Sequence, residues 1–489
     1  MADAKDFLFE IGTEEMPSAP LNNAVKQLGT MIAKGLDEAG LAHGEVRVIS
    51  SPRRLAALVA DVATATDEVH EVKRGPAVNI AFDADGNATK AAQGFARKCG
   101  VAAEDLVRRE DTDGREYVFA EKNIPSAPAT PILTALCEKT IAGLQWPNYR
   151  SQRWGHEHAT FVRPVRWICC LLGEDVVPVS FADVTSGNTT RGHRVLGPGD
   201  HVVASPAVYE QVLEDAGVLS AERRREAILA GIAEVEAARP GCHVDTPKKV
   251  FEEVINLCEW PTVLVGTFDE EFLKVPHEII CESMLSNQRY FPLYDADGNL
   301  TNHFVLVSNG DPARSEVIAA GNERVVRARL SDAKFFYDED LKMPLDAYVD
   351  RLDEVVFQEA LGTMRDKTAR VVKLSARITS AAGIEAAEMR DIARSAYLAK
   401  ADLVTSAVIE FTSVQGIMGS YYATAAGEPP RVARAIAEHY RPRFSGDAIP
   451  TDIIGQVVAL SDKIDTICGL FAVGQAPTGS SDPFALRRA

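Results

Sequence analysis

No two of the eight cysteines stand in a C-x-x-C spacing. Cys99, Cys137, Cys169, Cys170, Cys242, Cys258, Cys281 and Cys468 are scattered, which argues against a zinc ribbon and against a disulfide framework. All eight read as reduced thiols, mostly packing residues. No apolar run approaches the roughly 20 residues that a membrane-spanning helix needs, and the acidic opening MADAKDF lacks a signal-peptide h-region, so a cytoplasmic location is expected. Positive charge is also short: 52 Lys and Arg stand against 70 Asp and Glu, a formal net charge of −18. Such a chain is no indiscriminate nucleic-acid binder, and any RNA contact must be local. There is no phosphate-binding loop, no Rossmann glycine fingerprint and no Gly-x-Ser-x-Gly elbow, so nothing obvious binds ATP. Histidine is scarce as well. His156-Glu157-His158 has a metal-compatible spacing but no third ligand close in sequence, and it reads as a loop. Past Met343 only His439 remains.

The 489 residues exceed what one core usually organises, so two to four domains are expected. The fold class reads as α+β and multidomain: N-terminal mixed α/β regions, then an all-α domain. Up to about residue 200, β-rich runs such as Val46–Ile49 and Trp167–Leu172 alternate with helical stretches and with turn signals such as Asp83-Ala84-Asp85-Gly86. A second region, 201–340, opens at Ser205-Pro206, a good helix start. It carries helices through Ala238 and then strands around Thr262–Val265 and His303–Val307, with Asp295 to Asn299 as a hairpin turn. Residues 341–489 read as almost wholly helical, broken at Pro429-Pro430 and Arg441-Pro442.

The arginines cluster: Arg53-Arg54, Arg163/Arg166, Arg191/Arg194 and Arg324/Arg327/Arg329. Taken singly, each cluster reads as a solvated face. In the segment Gly321 to Phe336 and its continuation, Val326, Leu330, Ala333 and Tyr337 share one helical face, with Arg324, Arg327 and Lys334 opposite. Such a helix can bury one side and turn cations toward phosphates. The bland alternative is a Glu323–Arg327 pair at i, i+4.

Several stretches resemble, in order, the β subunit of the bacterial heterotetrameric glycyl-tRNA synthetase. They are FLFEIGTEEMPSAPL (Phe7–Leu21), RWGHEHATFVRPVRWICCLLGE (Arg153–Glu174), TTRGHRVLGP (Thr189–Pro198), EEVINLCEWPTVLVGTFDEEFLKVP (Glu252–Pro276) and ESMLSNQRYFPLYD (Glu282–Asp295). Asn287 stands where that family usually has His, while Tyr290 and Phe291 read as core strand residues more readily than as rings for base stacking. The resemblance implies that glycine activation and transfer occur on a separate α subunit. The β subunit supplies tRNA contacts, within an assembly of two α and two β chains that uses ATP and Mg²⁺. This chain itself is expected to bind no cofactor. The residues expected to contact tRNA are Arg324, Arg327, Lys334, Arg163, Arg166, Arg191, Arg194 and Arg289.

The C-terminal region resembles that subunit's HD-type domain through Ala401–Ala423, Arg431–Tyr440 and Ala459–Phe471. An HD phosphohydrolase needs His, His-Asp and Asp around a divalent metal. Here the place of the His-Asp pair reads Ala401-Asp402, and His439 shares a face with Val432 and Ile436 as a core histidine. Asp462 lies opposite an expected apolar face of Ile453, Val457, Leu460, Ile464 and Phe471, so it should be solvated. The fold is expected to be HD-like with its metal site lost. Family members continue past Pro477–Arg488 into an anticodon-binding domain, so the chain reads as truncated before it. Two other functions fit the residues less well: an HD-type metal phosphohydrolase, and a stand-alone RNA-binding module.

Overall fold

Seven consecutive residues, Phe7 to Thr13, are buried in the strand Ala4–Thr13. A strand buried on both faces must be central, and this one pairs antiparallel with Arg54–Ala63 on one edge and with Val165–Leu172 on the other. The full order is Val46–Ser51, Arg54–Ala63, Ala4–Thr13, Val165–Leu172, Val184–Gly187 and Ser180–Phe181, with Asp175–Val176 paired to Val165–Leu172. Phe7, Phe9 and Ile11 share one core with Leu21, Leu28 and Ile32 of the helix Ser18–Ala39 and with Leu133 and Ile141 of the helix Ala129–Gly143. Leu8 packs on the opposite face with Cys169, Leu171, Tyr209 and Leu213. Full burial of each such side chain contributes about 1.5–3 kcal/mol. Glu10 falls on the same alternation as Leu8, which places a carboxylate at a core position. Gly12 is dictated by its neighbour, since a Cβ there would lie 1.9 Å from the Trp167 ring.

This computed structural model describes residues 3–83, 86–155, 158–479 and 481–487. Ala84 and Asp85 of the first turn signal, and His156 and Glu157 of the H-x-H spacing, lie outside the described residues. The chain forms two compact units. The first comprises Met1–Ala227, Glu252–Pro261 and Asn309–Asp311, and the second Ile228–Phe251, Thr262–Ser308 and Pro312–Ala489. Within the first, Val69–Ala77, Glu116–Ile124 and Val107–Glu110 form a separate three-stranded sheet. It is covered by Ala92 and Ala96 of the helix Lys90–Cys99.

The second unit holds an antiparallel sheet in the order His243–Val244, Phe291–Tyr294, Leu300–Ser308, Thr262–Thr267. The hairpin at Asp295 closes with its N–H on the Asn299 carbonyl at 2.9 Å, and Tyr290 and Phe291 are buried. Ser315–Asp340 is one helix of 26 residues, and Val326, Leu330 and Ala333 form its buried stripe. The region after Met343 is less uniform than its periodicity suggests, because Val356–Gln358 and Gly362–Thr363 pair as a small ribbon. Helices follow at Met364–Ala381, Ala386–Leu398, Ile417–Ala425, Pro430–Glu438 and Ile453–Ala472. A reciprocal cap between Thr363 and Asp366 starts the first of these. No helix among the described residues is long and apolar enough to cross a membrane.

Candidate nucleic-acid interface and two buried ionic clusters

In the first unit, Arg191 and Arg194 flank a turn that His193 organises. The buried imidazole accepts the Val195 and Leu196 N–H groups at Nδ1, both at 3.1 Å. Arg194 binds Glu15 at 2.9 Å and Glu14 at 2.5 Å, and Glu14 also holds Arg166 at 3.0 Å. Arg191 pairs with Asp200 at 3.3 Å and lies over the Trp167 ring. Arg163 donates to the carbonyl of Val162. Arg53, Arg191 and Arg194 line a cavity of about 390 Å³ together with Gly192, Pro198 and Asp200. Each of the three arginines is held by a carboxylate, Arg194 by Glu14 and Glu15, Arg191 by Asp200 and Arg53 by Glu259.

Arg53 and Arg54 correct the expectation of a solvated face, for both are buried. Arg54 donates to Ser51 at 3.0 Å, Glu10 at 3.2 Å, Thr190 at 3.1 Å, the Arg191 carbonyl at 2.7 Å and Glu259 at 3.1 Å. Arg53 donates to Glu259 at 2.6 Å and to the Gly192 carbonyl at 2.6 Å. Burial alone would raise the Glu259 carboxyl, but the guanidinium groups of Arg54 and Arg53 outweigh it and hold Glu259 below the usual range. For Glu10 the balance reverses: burial dominates the attraction of Arg54, and its carboxyl is raised. The buried pair therefore anchors the loop bearing Arg191 to the central sheet.

In the second unit, Arg324 is exposed and forms no ion pair among the described residues. Arg327 binds Asp269 at 2.9 Å and Lys334 binds Asp338 at 2.6 Å. Glu323 does not pair with Arg327; it accepts from the Thr267 N–H and hydroxyl at 2.8 and 3.0 Å. Arg289 adopts a left-handed backbone, φ 58°, and donates to the Ser286 carbonyl.

The helical region hides a second ionic cluster. Lys367 Nζ lies 3.0 Å from Asp462 Oδ1 and 3.2 Å from Asp465 Oδ2, and donates to Thr466 at 2.7 Å. Lys400 donates to Asp462 at 3.0 Å and sits 3.7 Å from the Tyr440 ring centroid. Asp402 accepts the Gly416 and Gly419 N–H groups at 2.5 and 2.9 Å. The φ of +81° at Gly416 is one that L side chains rarely adopt. Asp462 is thus not solvated. The helix Ile453–Ala472 is apolar nearly all round, and packing selects the face with Ile454, Val457, Val458 and Asp462. Leu460 and Phe471, expected inside, are 47% and 54% exposed.

Burial pushes Asp402 up to about 6, against the pull of the two N–H donors. Burial lowers Lys400 to about 8, against the attraction of Asp462. Asp462 itself would be raised by burial, but Lys400 and Lys367 hold it well below the usual carboxylate range. His439 is fully buried with Nδ1 2.7 Å from the Ile436 carbonyl, and burial, aided by Lys400, lowers it to about 3. These residues do not fit a divalent cation, because ammonium groups already neutralise the carboxylates. Among the described residues, no group of three or more His, Cys, Asp or Glu side chains is arranged to hold a metal.

The sequence singles out the arginines but not their buried partners. Glu259 stands in the Glu252–Pro276 segment with no visible role, and Lys367, Lys400 and Asp465 carry no signal, since each partner lies far away in the chain.

Comparison with known proteins places the chain among aminoacyl-tRNA ligase subunits. The family model described as the glycyl-tRNA synthetase beta subunit matches residues 7–489. A glycine–tRNA ligase beta subunit of Moorella thermoacetica is 44% identical over 485 residues, covering 99% of this chain and 70% of that protein. The Bacillus subtilis beta subunit is 42% identical, covering 99% and 70%, and that of Myxococcus xanthus 44%, covering 99% and 69%. The chain belongs to the glycyl-tRNA synthetase beta subunit family.

Proposed function

We propose that this chain serves as the β subunit of a cytoplasmic glycine–tRNA ligase, contacting tRNA(Gly) and completing an enzyme of two α and two β subunits. The α subunit would join glycine to the tRNA with ATP and Mg²⁺, and this chain would bind neither. The family match over residues 7–489 is the observation that carries the reading. The cavity lined by Arg53, Arg191 and Arg194 supports backbone contact with RNA on a protein that is otherwise acidic. Arg324, on the exposed side of its helix, is the freest cation of the Arg324, Arg327 and Lys334 row. Arg163 and Arg166 in the first unit and Arg289 in the second are further proposed tRNA contacts. We read the helical region as HD-like with its centre occupied by Lys367 and Lys400, which disfavours a metal phosphohydrolase.

The test is reconstitution. The purified chain should show no glycine-dependent ATP–pyrophosphate exchange alone, and glycylation of tRNA(Gly) should appear on mixing it with a glycine–tRNA ligase α subunit. Robust exchange by the chain alone, or no gain on mixing, would overturn the reading.

A further inference from the structure

The second unit contains a further cavity of about 410 Å³. That is inside the roughly 300–1,000 Å³ of small-molecule sites. Its lining includes the half-buried rings of Tyr294, Tyr337 and Tyr421 together with Lys274, His277 and Asn299. The rings are held in place from behind. Tyr337 stacks on Tyr422 with centroids 5.9 Å apart and planes 26° from parallel, and Tyr422 donates to Asp340 at 2.8 Å. Tyr421 donates to Glu278 at 3.0 Å, and the Tyr294 hydroxyl lies 3.3 Å from Cys281 Sγ. Burial raises all three phenols, so the walls stay uncharged. Asn299 spends its amide N–H on Asp295 and keeps its carbonyl oxygen. Glu278 is the carboxylate nearest the wall and is engaged by Tyr421 and, at 3.4 Å, by His277. Lys274 is exposed and forms no ion pair among the described residues.

We propose that this cavity receives a single unstacked nucleobase of RNA, stacked against the tyrosines, with Lys274 on the adjoining phosphate. The inference rests on the RNA-binding reading above and adds to it a site that recognises a base instead of backbone. Rings that are already oriented suit a planar ligand, because little side-chain freedom is lost on stacking. Lys274, an exposed lining residue with no ion pair among the described residues, can meet the phosphate that flanks a neutral base.

The probe is a short single-stranded RNA carrying one 2-aminopurine, read by fluorescence with the whole chain. It should bind with quenching, and Tyr421→Leu and the mouth-filling Leu273→Trp should each weaken it roughly five- to a hundred-fold. Lys274→Ala should weaken the oligonucleotide while leaving the binding of a free nucleoside unchanged. Equal affinity in folded variants would overturn the proposal, as would equal competition by an oligonucleotide abasic at the probe position. If a variant fails to fold, photocrosslinking of a 4-thiouridine RNA to the unaltered chain decides instead: adducts should map to the three tyrosines, and adducts elsewhere refute the site. Failure of the cationic helix alone would show differently, as unchanged tRNA affinity after replacing Arg324, Arg327 and Lys334 beside an intact response to the cavity variants.

Discussion

Glu259 holds two buried guanidinium groups at once, and a partner removed from such a cluster leaves uncompensated charge. Glu259→Ala is therefore expected to cost about 3–5 kcal/mol, measured as a shift of the urea midpoint. A double variant that also makes Arg54 apolar should recover part of that stability. If the single variant is as stable as the parent, the cluster is not what anchors the Arg191 loop. Neither the burial nor the pairing is legible in the sequence. Arg54 and Glu259 are 205 residues apart, and adjacent arginines before a β run look the same whether solvated or enclosed. Asp462 departs from its expected exposure for a related reason: helical periodicity locates an apolar face only when one face is polar, and this helix offers two. His439 is legible as a core residue, because its neighbours Val432 and Ile436 fix its side of the helix.

That histidine makes the second unit sensitive to acid. Its folded pKa of about 3 lies below the ordinary 6.5, so between these values the unfolded chain binds more protons and stability falls as pH falls. Asp402 works the other way. Raised to about 6 from 3.8, it takes up its proton in the folded state first, so stability grows as pH falls from 6 toward 4. Melting temperatures across pH 3.5–7 should separate them. His439→Asn should flatten the acid response, by on the order of a few kcal/mol at the low end, and Asp402→Asn should steepen it. Parallel curves for parent and His439→Asn would show that the imidazole does not control the response.

At the scale of elements, the Ser315–Asp340 helix is the most readable part of the chain. Its buried stripe of Val326, Leu330 and Ala333 is the one that helical spacing picks out. The pairing of Arg327 is not readable, since its partner Asp269 comes from a different element, whereas Lys334 pairs with Asp338 at i, i+4. Replacing Arg324, Arg327 and Lys334 together by Ala should weaken tRNA binding in the assembled enzyme for all tRNAs alike. It should also reduce the salt slope by about 0.7–0.9 for each phosphate left without its cation. Exposed ion pairs contribute little to stability, so the melt should hardly move. Unchanged affinity and slope in a folded variant would remove this helix from the RNA surface. The short elements are harder to foresee. The Val356–Gln358 ribbon is too brief to show a period, and the strands Val69–Ala77, Val107–Glu110 and Glu116–Ile124 lack the apolar–polar alternation that marks a strand.

For the molecule as a whole, the first unit is discontinuous in sequence and draws on Glu252–Pro261 and Asn309–Asp311. A fragment of residues 1–227 retains every strand of the large sheet but not Glu259. It should therefore show no cooperative melt and should be cut rapidly by protease, and a melt matching that of the parent would contradict this. The same discontinuity governs the order of events during synthesis. The strand Ala4–Thr13 leaves the ribosome first, yet its neighbour Val165–Leu172 is made far later, and Glu259, the carboxylate shared by Arg53 and Arg54, later still. At about 5–20 residues per second, the 205 residues between Arg54 and Glu259 correspond to roughly 10–40 s. For the first part of that interval, until Val165–Leu172 is made, the nascent chain carries an apolar strand with an open edge, and to its end Arg53 lacks its carboxylate and Arg54 has only Glu10, a species that a holding chaperone would recognise and that a pause in translation before Glu259 would prolong.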